Sequence, residues 1–271
     1  MKNLLIDTRD SVEKKWARTV CKHYPEYSYF WNEFIGVRNS LRARRLVWYE
    51  YKYPQTWDRN KKSRFTQNIE ELFMAHYSLF CNLAGAHFQL KTCLKSLKTT
   101  NIADRHFKYW ESFECCYQHM GNVINYFYFF WEKLFSLTGK NIPRQRNGDL
   151  SKSAVDRELS LLFISKKKIS LYKSSKTYFG RKGQIATIRN NIVHYARLST
   201  SSIGDKGYLL PNKISSNIRW SKAGPFRKGF LAHKKAEMHL IELETIINKL
   251  QIYAKEKLRE HLVAERILIQ Y

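Results

Sequence analysis

A chain of 271 residues with 44% hydrophobic and 15% aromatic side chains has ample material for a buried core and is too rich in Phe, Tyr and Trp to be disordered. Its formal net charge of +25 must therefore decorate a folded body, which points to a polyanionic partner. Five cysteines, an odd number without Cys-x-x-Cys spacing, argue against a disulfide scaffold and fit a reduced compartment.

The chain opens on Met1-Lys2-Asn3-Leu4-Leu5-Ile6-Asp7, which reaches an acidic residue too soon for a signal-peptide core, so a cytoplasmic location is expected. A helix is expected from about Thr8 to Lys22. A second runs from Pro25, which suits a first helical position, to about Tyr49, and Pro54 ends any continuation. From Lys62 to Lys98 the residues Ile69, Leu72, Phe73, His76, Phe80, Leu83 and Phe88 recur at threes and fours without a proline, predicting one long helix with Gly85 as the place for a kink. Thr100 or Asn101 can cap the next helix, which should run from Ile102 to Leu137 and end at Gly139. Two long helices joined by a short loop make an antiparallel hairpin. Within the second, Val123 to Trp131 is the longest strongly apolar run. It contains Asn125 and is about half the length of a membrane span, so no membrane partner is expected.

After Gly139 the composition changes. Between Lys140 and Phe230 there are 20 Lys and Arg against Asp149, Asp156, Glu158 and Asp205, a surplus of 16 positive charges in about a third of the chain. Ser153 to Ile164 and Gly183 to Leu198 read as helices. The stretch from Ser199 to Gly229, rich in Ser, Gly, Pro and Asn, reads as a long basic insertion with a short hairpin. A last helix from about Ala232 to Ile269 carries Leu240, Leu243, Ile246, Ile247, Leu250 and Tyr253 on one face. The expected fold is all-α: an antiparallel helical bundle with two long central helices, a helical extension over 1–60, and a main helical domain over 61–271 with an insertion at about 199–230.

The candidate chemistry lies in Arg189-Asn190-Asn191-Ile192-Val193-His194. An arginine followed five to seven positions later by a histidine is weak by itself, and Arg18 to His23 and Arg227 to His233 also satisfy it. The surroundings separate them. At about 100° per residue, Ile185, Ile188, Ile192, Tyr195 and Ala196 form the core stripe of one helix, while Asn190 and His194, four apart, stack on a face roughly 150° from its centre. Arg189 flanks that face, and Arg197 can reach it from one turn below. Histidine titrates near neutrality, so it can take a proton from a ribose 2′-hydroxyl or give one to a leaving oxygen. Arginine grips phosphate bidentately and stabilises a pentacoordinate transition state, and the Asn190 amide can hold the imidazole or the phosphate. These are half the parts of a metal-independent ribonuclease.

The Arg-Asn-x-x-x-His pattern of Arg189 to His194, on a late helix of an all-α chain, resembles the HEPN superfamily. Arg18 is followed by Thr19 and Arg227 by Lys228, so neither fits as well. The resemblance extends over Lys62 to Leu198 with the last helix, and its diagnostic part is these six residues. It implies a HEPN-like bundle and a metal-independent RNA endonuclease of toxin-antitoxin or antiphage-defence systems. It also implies a homodimer in which two motifs face each other as one composite site that commonly leaves a 2′,3′-cyclic phosphate. Carried over, Arg189 would stabilise the phosphate, His194 would transfer protons and Asn190 would support them, with no metal and no cofactor. An antitoxin or other regulatory protein is a possible further partner. The family also has catalytically silent members, so a non-catalytic basic RNA-binding or scaffold subunit of such a complex is the alternative.

Arg181, Lys182 and Arg197, on or beside the motif helix, are the candidate RNA-backbone contacts, within a basic region that also holds Lys166-Lys167-Lys168 and Arg227-Lys228. Tyr172, Tyr178, Tyr208 and Trp220 are interleaved with this charge and can stack on unpaired bases, although core packing or loop anchoring is the stronger reading for each. The aromatic block Tyr126 to Trp131 reads as packing. His76, His87, His106 and His119 lack a second ligand at zinc spacing, and no Gly-rich phosphate loop or nucleophile elbow is present.

Overall fold

The computed structural model describes residues 19–20, 22–27, 51–52, 56–165, 184–194, 201–202, 208–210, 230–264 and 268–269. Most of these are helical: α1 (Arg59–Ser96), α2 (Ile102–Leu137), α3 (Lys152–Ser165), α4 (Gln184–His194) and α5 (Ala232–Ala264). The strands are two or three residues long: β1 (Tyr51–Lys52), β2 (Ser201–Ser202), β3 (Tyr208–Leu210), β4 (Phe230–Leu231) and β5 (Leu268–Ile269). The fold is all-α, as the periodicity predicts. Most of the expected helices before residue 50 lie outside the described residues, though Pro25 does open a short helical turn.

Local chemistry accounts for the helix ends. Asp58 Oδ1 accepts the Lys61 N–H at 2.6 Å and starts α1. Of the two candidate caps for α2, Asn101 is the one used, its Oδ1 accepting the N–H groups of Ala103 at 2.9 Å and Asp104 at 3.2 Å. Asn101→Ala is expected to lower unfolding stability by about 1 kcal/mol in a denaturant titration. At the other end Gly139 takes a φ of 83°, and its N–H and that of Lys140 donate to Ser136 and Phe135 carbonyls at 3.2 and 2.9 Å. This is the left-handed helix stop for which glycine is suited.

The chain divides into two compact units, one formed by 1–81, 125–167 and 247–271 and the other by 82–124 and 168–246, and the three long helices contribute residues to both. In the first unit, His76 rests against Phe130 and bonds Gln251, while Phe65 stacks on His261. The advance of one helix against the retreat of the other makes α1 and α5 antiparallel. His76 is fully buried among Tyr27, Phe80 and Phe130, and its Nε2–H donates to Gln251 Oε1 at 3.1 Å. Burial lowers its pKa to about 3, so the ring is neutral. In the Tyr126 to Trp131 block Phe127, Tyr128, Phe130 and Trp131 are buried, while Tyr126 and Phe129 are half-buried. Tyr51–Lys52 pairs antiparallel with Leu268–Ile269. The last helix is described as far as Ala264, and Leu268–Ile269 is strand, so the helix does not reach the expected Ile269.

In the second unit, Asn82 bonds His119 and His87 bonds Glu244, again setting α1 against its neighbours. Tyr109 to His233 and Tyr117 to His239 run in the same sense, so α5 lies parallel to α2. The insertion does contain a hairpin: Ser201–Ser202 pairs with Tyr208–Leu209, and Leu209–Leu210 pairs in turn with Phe230–Leu231. Its anchor is Tyr208, 3% exposed, packed on Tyr109, Trp110 and His106 with ring centroids 4.5 to 5.5 Å apart. Among the base-stacking candidates this tyrosine is a core residue. Phe88 departs from its expected place on the apolar stripe of α1 and is 62% exposed. Cys81, Cys93, Cys115 and Cys116 are free thiols. Among the described residues no helix is long and apolar enough to cross a membrane.

Candidate functional site

The motif helix α4 belongs to the second unit and is fixed there at three levels. Its apolar stripe comes first: Ile185 and Ile188 are buried, as the 100° periodicity requires, while Asn190 is exposed. The outward face of the helix therefore begins where the sequence puts it. Gln184, its first residue, supplies the second level. Its Oε1 accepts hydrogen bonds from His239 Nε2–H at 3.1 Å and from Lys235 Nζ at 3.1 Å, both on α5.

That bond fixes a tautomer. Because Gln184 Oε1 can only accept, His239 carries its proton on Nε2, and Nδ1 is left to accept the hydroxyl proton of Tyr117 at 3.0 Å. Burial, with the charge of Lys235 adding to it, lowers the His239 pKa to about 4, so the relay from Tyr117 through His239 to Gln184 is neutral. Burial likewise lowers the pKa of Lys235. Six residues earlier on α5, the His233 backbone N–H donates to the Tyr109 hydroxyl at 3.1 Å, and that hydroxyl donates to His233 Nδ1 at 3.1 Å. His233 is thus a buried capping partner with a pKa lowered first by burial and then by Lys234. The rival Arg227 to His233 pair has its histidine committed to the core.

Arg189 supplies the third level. Its side chain leaves α4 toward α2 and lies on Gly121, where an added Cβ would come within 2.6 Å of Nε. Nε is buried and, among the described residues, has no hydrogen-bond partner, while the residue as a whole is half-exposed. Asn190 stands beside it on the exposed surface. The backbone of His194 is the last described of α4; its side chain, and the whole of Arg181, Lys182 and Arg197, lie outside the described residues. So do Tyr172, Tyr178 and Trp220. Arg189 and Asn190 are consecutive on a helix held by core packing on one side and by Gln184 at its start, which makes them a half-exposed cation beside an exposed amide.

A second polar group in the same unit was not legible as a site. His119 Nδ1–H donates to Asn82 Oδ1 at 3.0 Å, and Asn122 Nδ2 donates to the same oxygen at 3.3 Å. The imidazole lies on Gly85, where an added Cβ would meet its ring atoms at 2.7 to 2.9 Å, and burial lowers its pKa. Gly85 admits a ring to a helix that continues unbroken through it. The one signal in the sequence was the presence of Gly85 and Gly121 inside long helices, where glycine is disfavoured and so marks a close approach. Among the described residues no three His, Cys, Asp or Glu side chains gather as a metal-ligating group. Comparison with family models, with curated proteins and with solved structures found no match to this chain.

Proposed function

We propose that the protein is a metal-independent RNA endonuclease of HEPN type. In this reading Arg189 stabilises the phosphate, His194 transfers protons and Asn190 supports them, and a second copy of the chain completes a composite site. The observation that carries it is the Arg189 to His194 pattern on a helix whose core face is buried and whose Asn190 is exposed, within the stretch that holds 16 of the 25 surplus positive charges. Arg181, Lys182 and Arg197 would track the RNA backbone. The biological setting that goes with this reading is a toxin or antiphage-defence effector in the cytoplasm, restrained by an antitoxin or regulatory partner.

The mechanism follows from the residue types. Neutral His194 takes the proton of the ribose 2′-hydroxyl as the oxygen attacks the adjacent phosphorus, and Arg189 neutralises the extra negative charge of the pentacoordinate phosphorane. As its bond to phosphorus breaks, the 5′-oxygen takes that proton from the now protonated His194, which returns to neutral, and the other fragment keeps a 2′,3′-cyclic phosphate. The test is cleavage of single-stranded RNA in EDTA by the wild-type chain, Arg189→Ala and His194→Ala. Cleavage by the wild type alone supports the reading. RNA binding that weakens steeply with salt, without any product, would support the non-catalytic RNA-binding or scaffold subunit instead.

A further inference from the structure

Gly121 stands in the middle of α2, a helix of 36 residues, although glycine is among the least favourable residues for a helix interior. Its place there is explained by what lies over it. A Cβ at this position would sit 2.6 Å from Arg189 Nε and nearer still to Cδ, inside the 3.0 Å that real Cβ contacts essentially never breach. Any side chain at 121 must displace the arginine. The same device recurs at Gly85, which admits the His119 ring in the same unit. The Arg189 Nε, buried without a partner among the described residues, belongs to a side chain held by shape rather than by hydrogen bonds at that atom.

We propose that Gly121 is a positioning residue for Arg189. The bare backbone of α2 is the seat along which the arginine stem lies, so the guanidinium is offered from a defined place beside Asn190 instead of sampling the rotamers of a surface arginine. A pre-placed cation loses less conformational freedom when it grips a phosphodiester, which raises affinity without a new contact. The role in RNA binding rests on the ribonuclease reading; the seat itself does not.

The experiment is a double-mutant cycle of Gly121→Ala and Arg189→Ala, read by melting temperature and by fluorescence anisotropy with a labelled single-stranded RNA. With Arg189 present, Gly121→Ala is expected to lower the melting temperature, because the new methyl evicts the stem. With alanine at 189 the same substitution is expected to raise it by about 2 to 4 °C, because the space is open and helix propensity improves. RNA affinity should fall about tenfold on Gly121→Ala in the arginine background and stay unchanged in the alanine background. A melting shift of the same sign and size in both backgrounds would overturn the seat. An affinity loss of equal size in both backgrounds, or a gain in the arginine background, would overturn the positioning role. Absence of RNA binding by the wild type would count against both the ribonuclease reading and the positioning role, while the sign reversal in melting would still decide the seat.

Discussion

His194→Ala is expected to slow RNA cleavage by about 10²- to 10⁴-fold, the range typical of losing a positioned proton-transfer group. Arg189→Ala is expected to cost about 10²- to 10³-fold, the scale of removing one preorganised donor from a developing oxyanion. The two losses should fall well short of multiplying in the double variant, because in the proposed mechanism both groups serve one transition state and residues that act as a unit are non-additive. Single-turnover cleavage of a labelled RNA measures all three. The substitutions differ in their effect on binding: losing Arg189 should also reduce the salt slope of RNA affinity by about one phosphate contact, whereas losing His194, which in the proposed mechanism moves protons and does not grip phosphate, should leave that slope unchanged. Equal effects of both substitutions on binding, with cleavage lowered only in proportion, would place these residues in RNA contact and not in chemistry.

Acidification is expected to destabilise the fold well before most carboxylates are protonated. Burial holds His76 at a pKa of about 3 and His239 at about 4 in the fold, against about 6.5 in the unfolded chain. Above pH 6.5 both states are neutral at these positions and nothing is lost. As the pH falls below 6.5 the unfolded chain binds protons that the folded chain refuses, so each ring removes about 1.4 kcal/mol of stability per pH unit. The loss continues until the pH reaches the folded pKa of each ring. Together the two give roughly 4 kcal/mol at pH 5, a large part of the total stability of an ordinary domain. His119 and His233, also lowered by burial, act in the same direction. Urea unfolding at pH 7, 6 and 5 measures the slope, and a midpoint that stays constant across that range would contradict the neutral buried rings. The consequence for the site is direct, since His239 holds Gln184 and with it the start of α4.

What was legible in the sequence is what is local. The bounds of α2 follow from Asn101 and Gly139, whose capping geometries are short-range. The buried face of α4 follows from the spacing of Ile185 and Ile188, and the hairpin within 199–230 follows from its turn-rich composition. The end of the last helix was not legible. No proline or glycine marks a stop after Ala264, and the partner that draws Leu268–Ile269 into a strand is Tyr51–Lys52, more than two hundred residues away. Separations of 55 and 124 residues likewise hid the bonds of Gln184 to His239 and of Tyr109 to His233, which join residues with no shared periodicity. Gly85 reads locally as a place for a kink, and only the packing of α2 against α1 reveals it as the bed of His119. The direction of Arg189 was also beyond local reading. The helical wheel places its Cα at the flank of the outward face, and Gly121, on another helix, receives its stem.

The most direct measurement of the central claim is the chemistry of the fragment ends produced from RNA in EDTA. The wild-type chain is predicted to leave 2′,3′-cyclic phosphates, to lose that product on His194→Ala, and to spare an RNA carrying a single 2′-deoxy sugar at the cleaved nucleotide. Undiminished cleavage of the deoxy-substituted RNA, or fragments that form as fast with His194→Ala as with the wild type, would contradict it.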